Sequence, residues 1–255
     1  MTIFDVTPEN AAQQGFFCIR NQSNPGVERK RSWYEERYRE GLRVKILRDD
    51  DGQQVAFVEY VPAEFAWRPV RAPGFIFIHC LSGYRKEHRG RGYASALIRH
   101  CENDARSQAR AGVAVMTSDG PWMATMEVFL KNGYSVADRR GRFELLAKKF
   151  STDAPDPLLI DWEKALAAYQ GWHLIYADQC PWHEKAVREL ADLALSEGID
   201  LQVTRLKTAE QARSAPSGFG VMSLVHDGEL IEDHYISKTR FRTILNNRRA
   251  LHRRR

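Results

Sequence analysis

The stretch His88-Arg89-Gly90-Arg91-Gly92-Tyr93-Ala94-Ser95 joins two glycines and two guanidinium groups to the start of a helical apolar pattern. Gly90 and Gly92 let the backbone turn tightly and approach a ligand with no side chain in the way. The amides released at such a turn lie at a helix N-terminus, where the partial positive charge favours a phosphate. Arg89 and Arg91 add full charges beside them. The chemistry this predicts is anion binding, of a pyrophosphate above all. Two familiar phosphate loops do not fit: no Gly-Lys-Ser/Thr follows at the required spacing. Of the dinucleotide fingerprint the chain offers only Gly90-x-Gly92.

A second cluster is Cys180-Pro181-Trp182-His183 at the start of a predicted helix, where the helix dipole lowers a thiol pKa. A dithiol oxidoreductase would carry a second cysteine where His183 stands. His183 could instead hold Cys180 as a thiolate, making a thiol-based binding or mixed-disulfide site. Cys18, Cys80 and Cys101 are scattered, with no metal-site spacing and no disulfide framework. The three carboxylates Asp49-Asp50-Asp51 precede Gly52 in a predicted hairpin turn and read as solvated.

The elements that must position these groups follow from apolar periodicity. Phe75 to Ile78 reads as a buried strand, and Ala94, Leu97, Ile98 and Cys101 recur at helical spacing in a helix through Arg110. Gly112 to Thr117 is the next strand and Trp122 to Lys131 the next helix. Earlier come an edge strand, Ile3 to Val6, and a helix capped by Thr7 with Pro8 in its first turn. A charged helix then runs from Val27 to Glu40, with Trp33, Tyr34 and Tyr38 on or near one face. Leu42 to Leu47 alternates as a half-buried strand whose hairpin partner is Gln54 to Tyr60. Residues 151–157 carry two prolines and small polar residues and read as a linker. Beyond it lie a helix from Leu158 to Gln170 stopped at Gly171, a strand from Trp172 to Ala177, a helix from Glu184 to Glu197 and a strand from Leu201 to Leu206. A short helix near Ala209, strands Val221 to Val225 and Glu229 to Tyr235, and a final helix complete the chain.

The pattern Arg-x-x-Gly-x-Ala, at Arg89, Gly92 and Ala94, resembles the coenzyme A loop of the GNAT superfamily of N-acetyltransferases. Asn132-Gly133-Tyr134 resembles the corner after the fourth helix of those enzymes. The segment Glu59-Tyr60-x-Pro62-Ala63-Glu64-x-Ala66-Trp67, with Cys80-Leu81-Ser82-Gly83, is similar to the acetyltransferases that carry a C-terminal YoaP-like domain. The resemblance implies an α/β (α+β) chain. A GNAT mixed sheet with flanking helices over 1–150 would precede a smaller thioredoxin-like α/β domain over 158–255. It implies acetyl-CoA as cofactor, bound by Leu81, Gly83, Tyr84, Arg89, Gly90, Arg91, Gly92, Tyr93, Ala94 and Ser95, and a small-molecule amine as acceptor. Many members place a tyrosine four residues before the closing glycine; here that position is Phe129. Either Tyr134 or Tyr84, or solvent, would then protonate the leaving thiolate. For the base the choices are Glu64, His79 and Glu59, in that order. A non-catalytic acyl-CoA sensor and a thiol protein centred on Cys180 are the competing readings.

Charge and composition set the remaining expectations. The 255 residues carry a formal charge of +5, much of it in the tail from Arg248 to Arg255. No aromatics interleave with those arginines, as a single-strand nucleic-acid binder would want, so a solvated helix end is expected. The start lacks the basic and apolar regions of a secretory signal, and no apolar run spans a membrane. A cytoplasmic protein is expected, and a homodimer is left open.

Overall fold

The computed structural model describes residues 1–16, 18–19, 21–83 and 90–252. Among them, seven strands form one mixed sheet in the order β1-β2-β3-β5-β6-β8-β7. These are β1 (Thr2–Val6), β2 (Arg43–Arg48), β3 (Gln54–Pro62), β5 (Phe75–Gly83), β6 (Gly112–Thr117), β7 (Ser135–Arg140) and β8 (Phe143–Lys149); β4 (Val70–Arg71) lies outside the sheet. Every neighbouring pair is antiparallel except β5 and β6.

Strand β5 explains its own unbroken apolar run. Successive side chains point to opposite faces, and both faces are covered. Ile76 and Ile78 pack with Leu97, Ile98, Cys101 and Ala105 of α3 (Tyr93–Ser107). Phe75 and Phe77 face the other way, toward Trp33 and Tyr34 of α2 (Pro25–Tyr38) and toward Trp67. Helix α2 starts where Asn24 accepts the Gly26 amide at 2.9 Å, with Pro25 in the first turn.

The C-terminal half builds a four-stranded sheet, order β11-β10-β12-β13, from β10 (Trp172–Tyr176), β11 (Leu201–Arg205), β12 (Met222–His226) and β13 (Glu229–Glu232). Strands β10 and β11 are parallel, and β12 and β13 reverse direction in turn. Helices α5 (Trp182–Ser196), α6 (Ala209–Arg213) and α7 (Lys238–His252) complete this half. Near the end of α7, Arg248 and Arg249 pair with Glu229 and Glu197. None of the described helices is long and apolar enough to cross a membrane.

Four local expectations change. Thr7 caps no helix; Asn10 accepts the Thr7 amide instead, and the helix that follows, α1, is only Ala11–Gln14. The strand predicted as half-buried is buried through its middle, since Lys45 lies under α3 and pairs with Asp5 and Asp104. Helix α4 is only Glu127–Leu130, because Trp122 takes a left-handed conformation with φ 68° in a turn before it. Residues 158–170 form no α-helix. Leu158 and Leu159 make the short strand β9 against β4, and Glu163–Ala168 is a 3-10 helix. Tertiary pairing overrides helix propensity there: the Leu159 amide reaches Asp138 at 2.8 Å and the Ile160 amide reaches the Pro69 carbonyl at 2.8 Å.

The two halves are packed together. One apolar core runs from Trp33 and Trp67 to Ala177, Leu190 and Phe219. At Gly26 a Cβ would lie 1.8 Å from the Pro181 carbonyl oxygen, so α2 meets the Cys180-Pro181 turn backbone to backbone. Arg142 holds Asp233 at 2.7 Å, and Arg213 donates to the Glu64 carbonyl at 2.7 Å.

Candidate active site

Strands β5 and β6 pair only from Phe75↔Gly112 to Ile78↔Val115; beyond that point β5 keeps only β3 and β6 only β8. The wedge between them opens into a cavity of about 280 Å³ whose lining includes Leu81, Ser82, Val115 and Met116. The opposite wall comes from the C-terminal half, through Gln179, Cys180, Trp182, His183, Phe219 and Tyr235. Neither half encloses this space alone.

A β-bulge sets the polar floor. Between Glu59 and Tyr60 the register against β5 shifts, so Cys80 and Ile78 are paired and His79 is the extra residue. His79 Nε2 accepts the Trp67 amide at 2.9 Å, which leaves the proton on Nδ1, 3.4 Å from Glu59 Oε1. Glu59 also accepts from Gln179 Nε2 at 2.8 Å and is bonded to Lys30. Gln179 passes the network on, since its Oε1 accepts from Arg68 at 2.9 Å. Lys30, Glu59, Arg68, His79 and Gln179 are all under 9% exposed.

Charge states follow from these contacts. Burial alone would raise the Glu59 pKa, but Lys30 and the His79 hydrogen bond outweigh it and hold the carboxylate ionised, well below its usual range. Burial opposes the Lys30 charge too, and Glu59 again wins, so the ammonium pKa rises. For His79 burial prevails and the pKa falls to about 4. The same holds for His183, also pushed down to about 4, whose Nδ1 lies 2.8 Å from the Ala177 carbonyl. At neutral pH both imidazoles are uncharged.

The thiol expectation is corrected by the same physics. Cys180 sits beside the α5 N-terminus, yet burial pushes its pKa up to about 11, against the smaller lowering from the Trp182 amide and Lys30. A neutral His183 bonded to a carbonyl does not hold it as a thiolate. Cys18 and Cys80 line the same cavity, and burial raises both thiols as well. Among the described residues no group of histidines, cysteines and carboxylates is arranged to hold a metal.

The expected base and acid residues separate. His79 lies at the cavity, with both ring nitrogens directed at protein partners. Glu64 does not line it: the side chain is exposed, accepting the Gly74 amide at 2.8 Å and facing Arg110 at 3.4 Å. Tyr134 lies buried behind Phe129, ring centroids 5.5 Å apart, and burial raises its pKa far above the phenol range. Phe129 does line the cavity. Sequence reasoning missed Lys30, Arg68, Gln179 and Tyr235. Lys30 had a signal, since helical spacing puts it on the face of Trp33 and Tyr34. Tyr235 had none. It meets Trp122 and Trp182 across the junction, at ring-centroid distances of 5.2 and 6.3 Å.

The exposed glycine turn leads into the half-buried N-terminus of α3. Gly90 and Gly92 have φ of 77° and 78°, with nothing within 4 Å of a Cβ at either. Among the described residues no side-chain cap bond is made at Gly92, the α3 N-cap, and Ser95 Oγ accepts from Asn132 at 3.0 Å. Gly83, at the end of β5, pairs with Ala56. Tyr84 and Arg89 lie outside the described residues.

Both halves of the chain are similar to known proteins. Residues 12–134 match the Acetyltransferase (GNAT) family, and residues 200–242 match the YoaP-like family. The first of these stretches is similar to a GNAT acetyltransferase domain. The chain's large mixed sheet with flanking helices is the architecture that domain implies. A Bacillus subtilis (strain 168) protein described as the uncharacterized N-acetyltransferase YoaP is 26% identical over 254 residues, spanning 96% of this chain and 99% of the relative. Among solved structures, a GNAT family acetyltransferase from Brucella melitensis in complex with acetyl-CoA is 15% identical, covering 61% of this chain and 91% of that one, with a TM-score of 0.38. A GNAT family N-acetyltransferase from Escherichia coli in complex with CoA is also 15% identical, covering 60% and 83%, with a TM-score of 0.39.

Proposed function

We propose that this protein transfers the acetyl group of acetyl-CoA to the amine of a small molecule enclosed between its two halves. The observation that carries this reading is the junction cavity, which begins where β5 and β6 part and is closed by the YoaP-like region. Acetyl-CoA supplies the acyl group as a thioester. The uncapped α3 amides, with Arg89 and Arg91, hold its phosphates. The backbone of Leu81 to Gly83, beyond the last β6 pairing, receives the pantetheine arm and polarises the carbonyl.

The amine nitrogen attacks the carbonyl carbon, a C–N bond forms, the C–S bond breaks, and the thiolate must gain a proton. Ser82 and Tyr235 are the hydroxyls lining the cavity among the described residues. The phenol is the stronger acid, so Tyr235 takes the place that Phe129 leaves empty. The proton lost by the amine passes to water and restores the phenol. Tyr235→Phe is expected to lower kcat about 100-fold with little change in the KM for acetyl-CoA. Release of free coenzyme A from acetyl-CoA across a panel of amines checks both statements. Tight acetyl-CoA binding with no turnover of any amine would favour the sensor reading instead.

We propose that the C-terminal half is a thioredoxin-like unit, and we assign it as the wall of the acceptor site rather than a redox centre. The buried, protonated Cys180 supports this, as does the lack of a second cysteine in its motif. The protein is placed in the cytoplasm on this reading, and a homodimer is not required by it.

A further inference from the structure

Arg68 stands apart from the other charges of the cavity. It is 3% exposed and lines the chamber, yet among the described residues it pairs with no carboxylate. Its Nη1 donates to two neutral oxygens, Trp67 O and Gln179 Oε1, each at 2.9 Å. The guanidinium lies over the Phe219 ring, 4.9 Å from its centroid. Lys30, by contrast, is matched by Glu59. Both lining imidazoles are neutral and the lining thiols are protonated, so the described walls carry one positive charge in excess.

A buried cation without a counter-ion is expensive, and its cost is recovered only by an anion that enters the same space. The surroundings hold Arg68 in place. The Trp67 amide before it is fixed on His79, and at Gly220 a Cβ would come within 2.9 Å of the Trp67 carbonyl oxygen. Gln179 secures one edge of the guanidinium plane, and no protein partner takes Nη2 or Nε among the described residues. That free edge offers two parallel donors, the geometry a carboxylate accepts.

We propose that the acceptor is an amino acid or a close analogue, an amine whose own carboxylate pairs with Arg68. Its side chain would fill the apolar space beside Phe57, Phe129 and Phe219. This inference rests on the acetyl-transfer reading and deepens it. The two-donor edge predicts discrimination against any amine lacking the acid group, because such a ligand leaves the guanidinium unpaired.

The test compares matched pairs on the full chain: phenylalanine with phenethylamine, leucine with isoamylamine, tryptophan with tryptamine. Each acid-bearing member is expected to exceed its decarboxylated partner in kcat/KM by on the order of 100-fold or more. Arg68→Met should abolish that preference through KM, with acetyl-CoA affinity unchanged, and Arg68→Lys should restore part of it. Equal or better turnover of the decarboxylated amines by the unmutated protein would overturn the proposal while leaving acetyl transfer standing. A separate arm measures calorimetric binding of 3-phenylpropionate to the unmutated protein and to Arg68→Lys. Uptake weakened in the variant supports the carboxylate subsite even where no amine is acetylated, and no uptake by the unmutated protein counts against it.

Discussion

The two regions proposed to bind the cofactor and the acceptor are built in two different ways. The proposed phosphate turn is exposed at residues 90–92 and half-buried at 93–95, is built from backbone amides and glycines, and depends on a few consecutive residues. The acceptor chamber is buried and built from side chains, and its members lie far apart in sequence: Lys30, Glu59, Arg68, His79, Gln179 and Tyr235. An anchor for a large, highly charged cofactor can stay in water, where helix amides and guanidinium groups attract phosphate without desolvation cost. Recognition of a small acceptor needs water removed, so the polar groups there are held by one another, with the charge of Arg68 left for the acceptor to match. One region is therefore a local motif, and the other is an agreement between two halves of the chain.

The sharpest break of this comparison is Lys30→Met. It leaves Glu59 as a buried carboxylate without its cation and is expected to cost about 3–5 kcal/mol of stability. Chemical denaturation measures that loss; a change of under 1 kcal/mol would mean the chamber is wetter than its burial indicates.

A smaller effect separates the regions by glycine. Gly26→Ala pushes a methyl group into the Pro181 carbonyl and is expected to cost about 1–3 kcal/mol, loosening the junction and acceptor KM while coenzyme A affinity holds. Gly92→Ala meets no neighbour, so only its φ of 78° is strained, at about 1–2 kcal/mol. That substitution should weaken coenzyme A binding and leave the junction intact. Calorimetry with coenzyme A and kinetics with the acceptor distinguish the two patterns, and identical patterns would erase the contrast.

The smallest expected effect is an absence. His79 and His183 have pKa values depressed to about 4, so both are neutral above that pH and gain charge only below it. Glu59 stays ionised throughout. The chamber should therefore add no inflection to kcat/KM between pH 5 and 8, and the rate should climb with the ionisation of the amine itself. An inflection in that window that vanishes in His79→Gln would restore the imidazole as a base. The same shifts act on stability: below the unfolded histidine pKa of about 6.5 the unfolded chain takes up protons that the folded one refuses. Thermal midpoints should accordingly fall as pH drops from 6.5 toward 4.

Much of the scaffold was legible because its signals are local. The run at Phe75 to Ile78, the helical spacing of Leu97, Ile98 and Cys101, and the glycines of the turn each state their conformation within a few residues. Trp122 and Leu158 were misread because contacts from elsewhere decide them: Trp182 and Tyr235 at one, β4 at the other. Glu64 looked like a base in an apolar loop, but nothing in its neighbourhood in sequence reveals the Gly74 amide and Arg110 that it serves.

By itself, the sequence determined most strands, most helices and the left-handed glycines at 90 and 92, since periodicity and glycine act over one or two turns of chain. Only the tertiary structure decided which charges are buried together, that His79 and Cys180 are held neutral, and that Arg68 pairs with no carboxylate among the described residues. Desolvation and Coulomb interactions depend on distance in space, and in this molecule those distances are set when α2 docks on the Cys180-Pro181 turn.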